Sequence, residues 1–65
     1  MMKVHLSPDR TEEIAVTAAT VEAVLLMLGV NPVEVIVSRN GALVPEDTVV
    51  GGDDELRVIR FVHGG

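Results

Sequence analysis

The residues best placed for chemistry are Gly64 and Gly65, which close the sequence after an apolar, strand-like run over 56–62. Because glycine has no Cβ, its backbone can lie extended or adopt a positive φ, and it can enter a narrow slot. A partner enzyme could hold both residues closely, and no side chain would shield the Gly65 carboxylate. The alternative is an ordinary frayed terminus, since composition alone gives a Gly-Gly end in roughly 0.5% of chains. The rest of the chain has to decide between these two interpretations.

The other polar residues lack the pattern of a catalytic or metal site. His63 precedes the two glycines, but His5 is the only other histidine and there is no cysteine, so a metal ligand set is not expected. His63 is better interpreted as a solvated spacer or as a contact for a partner enzyme. Gly51-Gly52 lacks the Lys-Ser/Thr pair and the following helix of a phosphate loop. Adjacent carboxylates in predicted loops are typical of a solvated surface. We therefore expect no catalytic residue, no metal and no bound cofactor.

The composition indicates one small packed domain. The chain has 65 residues, of which 48% are hydrophobic, and the absence of cysteine excludes disulfides and a thiol nucleophile. A net charge of −5 and a single aromatic residue, Phe61, argue against nucleic acid and anionic membranes as partners. No signal peptide is recognisable. The longest apolar stretch, 21–30, is interrupted by Glu22 and is too short to span a bilayer. A cytoplasmic location is expected.

The first half of the sequence predicts two strands and a helix. Apolar residues alternate with polar ones over 2–6, which indicates a half-buried strand, and turn residues at 7–10 lead to a second strand around 14–16. A helix is expected over 20–28, with Thr20 or Thr17 as its N-cap and Gly29 just beyond its end. Leu26 and Met27 extend the apolar surface beyond one stripe, so we expect this helix to be covered on more than one side.

The second half predicts a hairpin, a loop and a final strand. A β-branched strand over 33–38 reaches Asn40-Gly41, the residue pair that best fits a type I′ turn. A short strand over 42–44 follows, and 46–54 is expected to be a loop around an apolar plug, Val49-Val50. The last strand is expected over 56–62, with its residues alternating between the two faces of the sheet. The helix must then cover one face of a mixed sheet.

These elements and the Gly-Gly end together resemble the β-grasp sulfur carriers of the ThiS and MoaD type and the small archaeal ubiquitin-like modifier proteins. The matching segments are 20–25 in the helix, 35–41 in the hairpin, Val44-Pro45 after it and 52–56 before the last strand. The resemblance implies an α+β, β-grasp (ubiquitin-like) fold, a mixed sheet of four to five strands with one helix across one face. Residues 1–61 would form this domain and 62–65 a flexible C-terminal tail.

The resemblance also implies a function that needs no catalytic residue in the chain. A ubiquitin-activating-type enzyme would use ATP to adenylate Gly65 and would recognise Gly64, His63 and Val62 in the tail. The adenylate would become a thiocarboxylate that delivers sulfur to a synthase, in thiamine, molybdopterin or tRNA thiolation. Alternatively, Gly65 would be joined to lysines of target proteins. The contrasting hypothesis is a β-grasp interaction module whose terminus has no chemistry.

The partner enzyme would also need a docking surface. In a β-grasp fold the last strand lies centrally, beside the first and third strands. Its outward residues Arg57, Ile59 and Phe61, with Ile36 on the third strand, are expected to form an exposed apolar patch rimmed by charge. Such patches usually mark interaction sites, although isolated apolar residues also occur on ordinary sheet faces.

Overall fold

The computed structural model describes residues 1–61, which form a five-stranded mixed sheet with one α-helix across one face. The elements are β1 Met2–Ser7, β2 Arg10–Ile14, β3 Ala19–Thr20, α1 Val21–Met27, a 3-10 turn Pro32–Glu34, β4 Val35–Arg39, β5 Ala42–Val44, β6 Val49–Val50 and β7 Glu55–Arg60. The sheet order is β2-β1-β7-β4-β5, and β3 pairs separately with β6. The predicted β-grasp fold is confirmed. The predicted tail, 62–65, lies outside the described residues.

The last strand is central, as predicted. β7 pairs in parallel with β1, from Lys3 opposite Glu55 to His5 opposite Arg57. On its other side it pairs antiparallel with β4. Both neighbours therefore fix the strand from Glu55 to Arg60 within the sheet.

The core forms between the sheet and the inner side of α1, from residues that alternate along the strands and recur at helical spacing along α1. Its buried members are Met2, Val4, Val21, Val24, Leu25, Val35, Val37, Val50, Leu56 and Val58. Burying one such aliphatic side chain stabilises a protein by about 1.5–3 kcal/mol. A sheet with this side covered leaves its other face for solvent or for partners.

The helix ends follow the sequence signals. The Thr20 side-chain oxygen accepts a hydrogen bond from the Ala23 N–H at 3.1 Å, so Thr20, and not Thr17, is the N-cap. Gly29 has a φ of +76°, the left-handed conformation expected just after a helix. The prediction that Leu26 and Met27 are covered is wrong: each is 61% exposed. The seven-residue helix packs through one stripe alone.

Strand boundaries differ from the predictions where local hydrogen bonds compete. The 33–38 strand begins only at Val35, because the Asn31 side chain accepts a hydrogen bond from the Val33 N–H and starts the 3-10 turn. The second strand is shifted to Arg10–Ile14, since pairing with β1 places Ile14 opposite Met2. The last strand ends at Arg60. The Asn40-Gly41 turn is confirmed, with φ values of 50° and 91°.

The loop over 46–54 contains the strand β6, which the sequence did not predict. Val49 and Val50 pair with Thr20 and Ala19. Val50 is buried and acts as the expected plug, whereas Val49 is 59% exposed. This pairing fixes the start of α1 against the loop.

Candidate functional site

The described part of the chain ends just after the central strand, at a point that the sheet holds in place. β7 pairs with β4 up to Arg60, opposite Val35. The backbone N–H of Phe61 then donates a hydrogen bond to the Glu34 carbonyl at 2.9 Å. The chain is thus held in place through Phe61. The predicted tail residues Val62, His63, Gly64 and Gly65 lie outside the described residues, so their roles stay predictions.

The structure brings the four predicted docking residues, Ile36, Arg57, Ile59 and Phe61, to the sheet face opposite α1. We call these four residues the outer-face patch. Ile36 lies directly opposite Ile59 across the β4–β7 ladder. Ile59 and Phe61 are each 43% exposed, and Ile36 is half-buried. The intervening Val58 belongs to the core, which confirms the predicted alternation.

Next to this patch, the imidazole of His5 forms hydrogen bonds that connect three strands. His5 on β1 hydrogen-bonds through Nδ1 with the Thr11 hydroxyl of β2, at 3.0 Å, and through Nε2 with the Glu55 carboxylate of β7. The sequence did not reveal this contact. Two local features are consistent with this contact. Alternation along β1 places His5 on the outer face, and His5 pairs with Thr11 of β2.

Two carboxyl groups at this end of β7 have perturbed pKa values. The hydrogen bond from His5, followed by the attraction of its charge, lowers the pKa of Glu55 below that of an ordinary glutamate. At the neighbouring position, the Gly51 N–H and then the Asn40 amide donate hydrogen bonds to Asp54 and lower its pKa. Both carboxyl groups are therefore ionised at neutral pH. Glu55 contacts β1 through His5, and Asp54 contacts the Asn40 turn and the loop at Gly51.

The His5–Glu55 contact predicts a dependence of stability on acid. Because the pKa of Glu55 is lowered in the folded state, its ionised form stabilises the fold at neutral pH. This contribution is lost as the pH falls below about 4.3, the ordinary glutamate pKa, and through the lower folded value. We expect urea unfolding midpoints from pH 7 to pH 3 to fall more steeply for the natural protein than for Glu55→Gln.

The matched control for this titration is Glu13→Gln, which alters an exposed glutamate on β2. Its midpoints should follow those of the natural protein across the same pH range. Equal acid sensitivity of Glu55→Gln and the natural protein would contradict a stabilising role for the His5–Glu55 contact.

Residues 1–61 contain neither a metal-binding cluster nor a membrane-spanning helix. In this range no group of three or more His, Asp or Glu side chains is arranged to hold a metal ion. Over the same range no helix combines the length and hydropathy needed to cross a bilayer.

Comparison with known proteins identifies the family of the chain. The sequence model of the family described as "Small archaeal modifier protein 2" matches residues 1–62. A protein of Magnetococcus marinus named thiazole synthase is 38% identical over 68 residues, covering 98% of this chain. The chain spans only 20% of the length of that relative. With the β-grasp fold and the family match in agreement, the chain belongs to the small archaeal modifier protein 2 family, among the ubiquitin-like and ThiS/MoaD-type β-grasp proteins.

Proposed function

We propose that this protein is a sulfur carrier whose Gly65 carboxylate is activated by a ubiquitin-activating-type enzyme. A carboxylate oxygen attacks the α-phosphorus of ATP and pyrophosphate leaves, giving an acyl-adenylate. The outer sulfur of an enzyme persulfide attacks the acyl carbon and AMP leaves, which gives an acyl disulfide. A second thiol of the enzyme then attacks the donor sulfur of that disulfide, so the thiocarboxylate leaves and a disulfide forms on the enzyme. The relative named thiazole synthase, taken together with the family match over 1–62, is the observation that supports this proposal. The chain has no cysteine, and a thiocarboxylate needs none.

In this proposal the chain contributes position and recognition, and its partners contribute catalysis. ATP is bound by the activating enzyme. Gly64 and Gly65 allow close approach of enzyme groups to the carbonyl, because neither has a side chain. The outer-face patch is the docking surface for that enzyme, and the anchored Phe61 sets the point from which the tail reaches the active site.

The relative named thiazole synthase supports a synthase as sulfur acceptor. A thiazole ring contains a sulfur atom, so an enzyme that forms it must obtain sulfur from a donor. Only 20% of that relative corresponds to this chain. We propose that this chain binds a sulfur-accepting synthase of this kind. Thiamine, molybdopterin and tRNA thiolation remain alternative destinations for the sulfur.

A second candidate function, protein modification, is favoured by the description of the matching family as a modifier. Here the adenylate, or a thioester formed from it, would be attacked by a lysine amine to give an isopeptide. Lys3 is the only lysine, so chains of this protein on itself would need Lys3 or the α-amino group. Because trypsin cuts after Arg60, lysines in target proteins would carry residues 61–65 as a remnant, and mass spectrometry can search for it.

ATP–pyrophosphate exchange tests the activation step. A cognate activating enzyme should catalyse exchange only when the protein is present. Exchange with the protein but no lysine remnant in cells indicates a carrier, and exchange with remnants indicates a modifier. No exchange with any activating enzyme of the source organism would favour the interaction module.

The proposed docking role of the outer-face patch predicts a binding defect. Ile59→Asp should raise the KM of the activating enzyme for this protein by roughly 10-fold or more, because a charge would lie at the centre of an apolar interface. The kcat should change little, since the substitution leaves the tail intact. The control, Leu26→Asp, places the same charge at an exposed apolar position on α1, beyond the opposite sheet face. Equal KM values for the two variants would argue against docking through this patch.

A further inference from the structure

A groove opens between β1 and β7 at the end of the sheet nearest the end of α1. Their parallel ladder stops at His5 and Arg57, although β1 continues to Ser7 and β7 to Arg60. The pairing of β1 with β2 is irregular between His5 and Ser7. A β-bulge bends its strand and can terminate pairing. Beyond the end of their ladder, the two strands and the segment over 28–30 line a groove with a volume of about 660 Å³.

The groove is positively charged, although the protein as a whole is acidic. Arg10, Arg57 and Arg60 line it, which are three of the four arginines in a chain of net charge −5. Within residues 1–61, no aspartate or glutamate lines the groove. Its apolar lining comes from Leu6, Val58 and Ile59 and from the segment over 28–30 that follows the helix, so Arg57 and Ile59 belong to both the groove and the outer-face patch.

These arginines are weakly engaged within the described part of the chain. Arg10 lies 3.7 Å from the Glu12 carboxylate, an exposed contact of little expected strength. Over residues 1–61, neither Arg57 nor Arg60 forms an ion pair within 4.0 Å. Their planar guanidinium groups are suited to carboxylates, which they bind through two parallel hydrogen bonds. The groove is thus complementary to negative charge.

The shape of the groove favours an extended peptide over a small anion. All three arginines are exposed, whereas small-ligand sites usually enclose a few converging polar groups. Past His5 and Arg57, the facing edges of β1 and β7 also have no partner in their common ladder. An extended peptide can use such backbone groups for strand pairing. We propose that this groove binds an extended acidic segment of a partner protein, with carboxylates on the arginines and apolar side chains on the lining.

This binding is separate from any chemistry at Gly65, so it is testable without an activating enzyme. The probe is a synthetic ten-residue peptide that alternates Glu with Val, added to the ¹⁵N-labelled protein. Amide shifts are expected to change at Leu6, Ser7, Gly29 and Val58, and the affinity should fall as salt is added. A second peptide with Lys in place of Glu should cause no such changes.

Charge variants locate the binding. Arg10→Gln and Arg60→Gln should each raise the Kd for the peptide by about fivefold, which corresponds to the upper end of the energies measured for exposed ion pairs. Lys3→Gln removes the same charge from β1 outside the groove and should leave the Kd nearly unchanged. The double variant Arg10→Glu, Arg60→Glu should no longer bind the Glu peptide and should bind the Lys peptide instead. Since these positions are exposed, native-like spectra are expected for all variants.

Several results would overturn the proposal. One is an absence of shift changes with the Glu peptide at millimolar concentration. Another is a set of changes confined to Ile36 and Phe61, the two residues of the outer-face patch that do not line the groove. A third is displacement of the peptide by inorganic phosphate or AMP with the same shift pattern, which would make the groove a small-anion site. Equal losses for Lys3→Gln and the arginine variants would indicate only a general effect of net charge.

Discussion

Replacing Gly51 with alanine is expected to unfold a large share of the protein. An alanine Cβ would lie 2.7 Å from the carbonyl carbon of Thr17 and still closer to its oxygen. The colliding atoms are backbone atoms, and hydrogen bonds hold both sides: Gly51 N–H donates to Asp54, and Gly52 N–H donates to Val16. We expect a loss of about 3 kcal/mol or more, as for severe overpacking. A domain of this size has only a few kcal/mol in total. Urea unfolding measures the loss.

Gly52→Ala is the matched control, one residue further along the same loop. Its φ is +62°, so an alanine is strained there by roughly 1–2 kcal/mol, but a Cβ would have nothing within 4 Å. The alanine at 51 should therefore be clearly the more damaging of the two. If both variants unfold at the same urea concentration, the close approach of Gly51 to Thr17 is wrong.

Removing Gly65 should abolish activation while leaving the fold intact. The shortened chain ends in the Gly64 carboxylate, which lies one residue short of the position that the enzyme requires. Within residues 1–61, the buried core lies between Met2 and Val58, so we expect the urea midpoint to be unchanged. ATP–pyrophosphate exchange should fall to the level without protein.

A chain extended by one alanine after Gly65 is the complementary variant. It keeps both glycines but displaces the carboxylate, and exchange should again be lost. His63→Ala separates the two interpretations of that residue: normal exchange indicates a spacer, and a raised KM indicates an enzyme contact. Full exchange with the chain that lacks Gly65 would contradict the proposed role of its carboxylate.

The sequence predicted best those features that depend on neighbouring residues. Thr20 caps the helix and Asn40-Gly41 forms the tight turn because each conformation is decided within three or four residues. Alternation along β7 likewise revealed which of its side chains face outward. Its central position, in contrast, came from the resemblance to β-grasp proteins, since periodicity does not specify which strands pair.

Features that depend on distant parts of the chain were missed. The β3–β6 pair joins residues thirty positions apart, and two-residue strands carry no periodicity. The contact of His5 with Glu55 spans 50 positions. Leu26 and Met27 were expected to be covered because apolar residues usually are, but the described elements supply only one layer against the helix. The groove begins where the register of β1 with β2 becomes irregular, between His5 and Ser7, and local composition did not signal that irregularity.

The central claim, that Gly65 is a carrier terminus, is tested most directly by intact mass. The purified protein is incubated with a cognate activating enzyme, ATP and a sulfur donor, and its mass is then compared with that of the chain lacking Gly65. The account predicts a gain equal to the replacement of one oxygen by sulfur, located by fragmentation at Gly65, and no gain in the shortened chain. An unchanged mass would contradict it, provided that the same enzyme preparation transfers sulfur to another carrier protein. Sulfur located elsewhere in the chain would also contradict it.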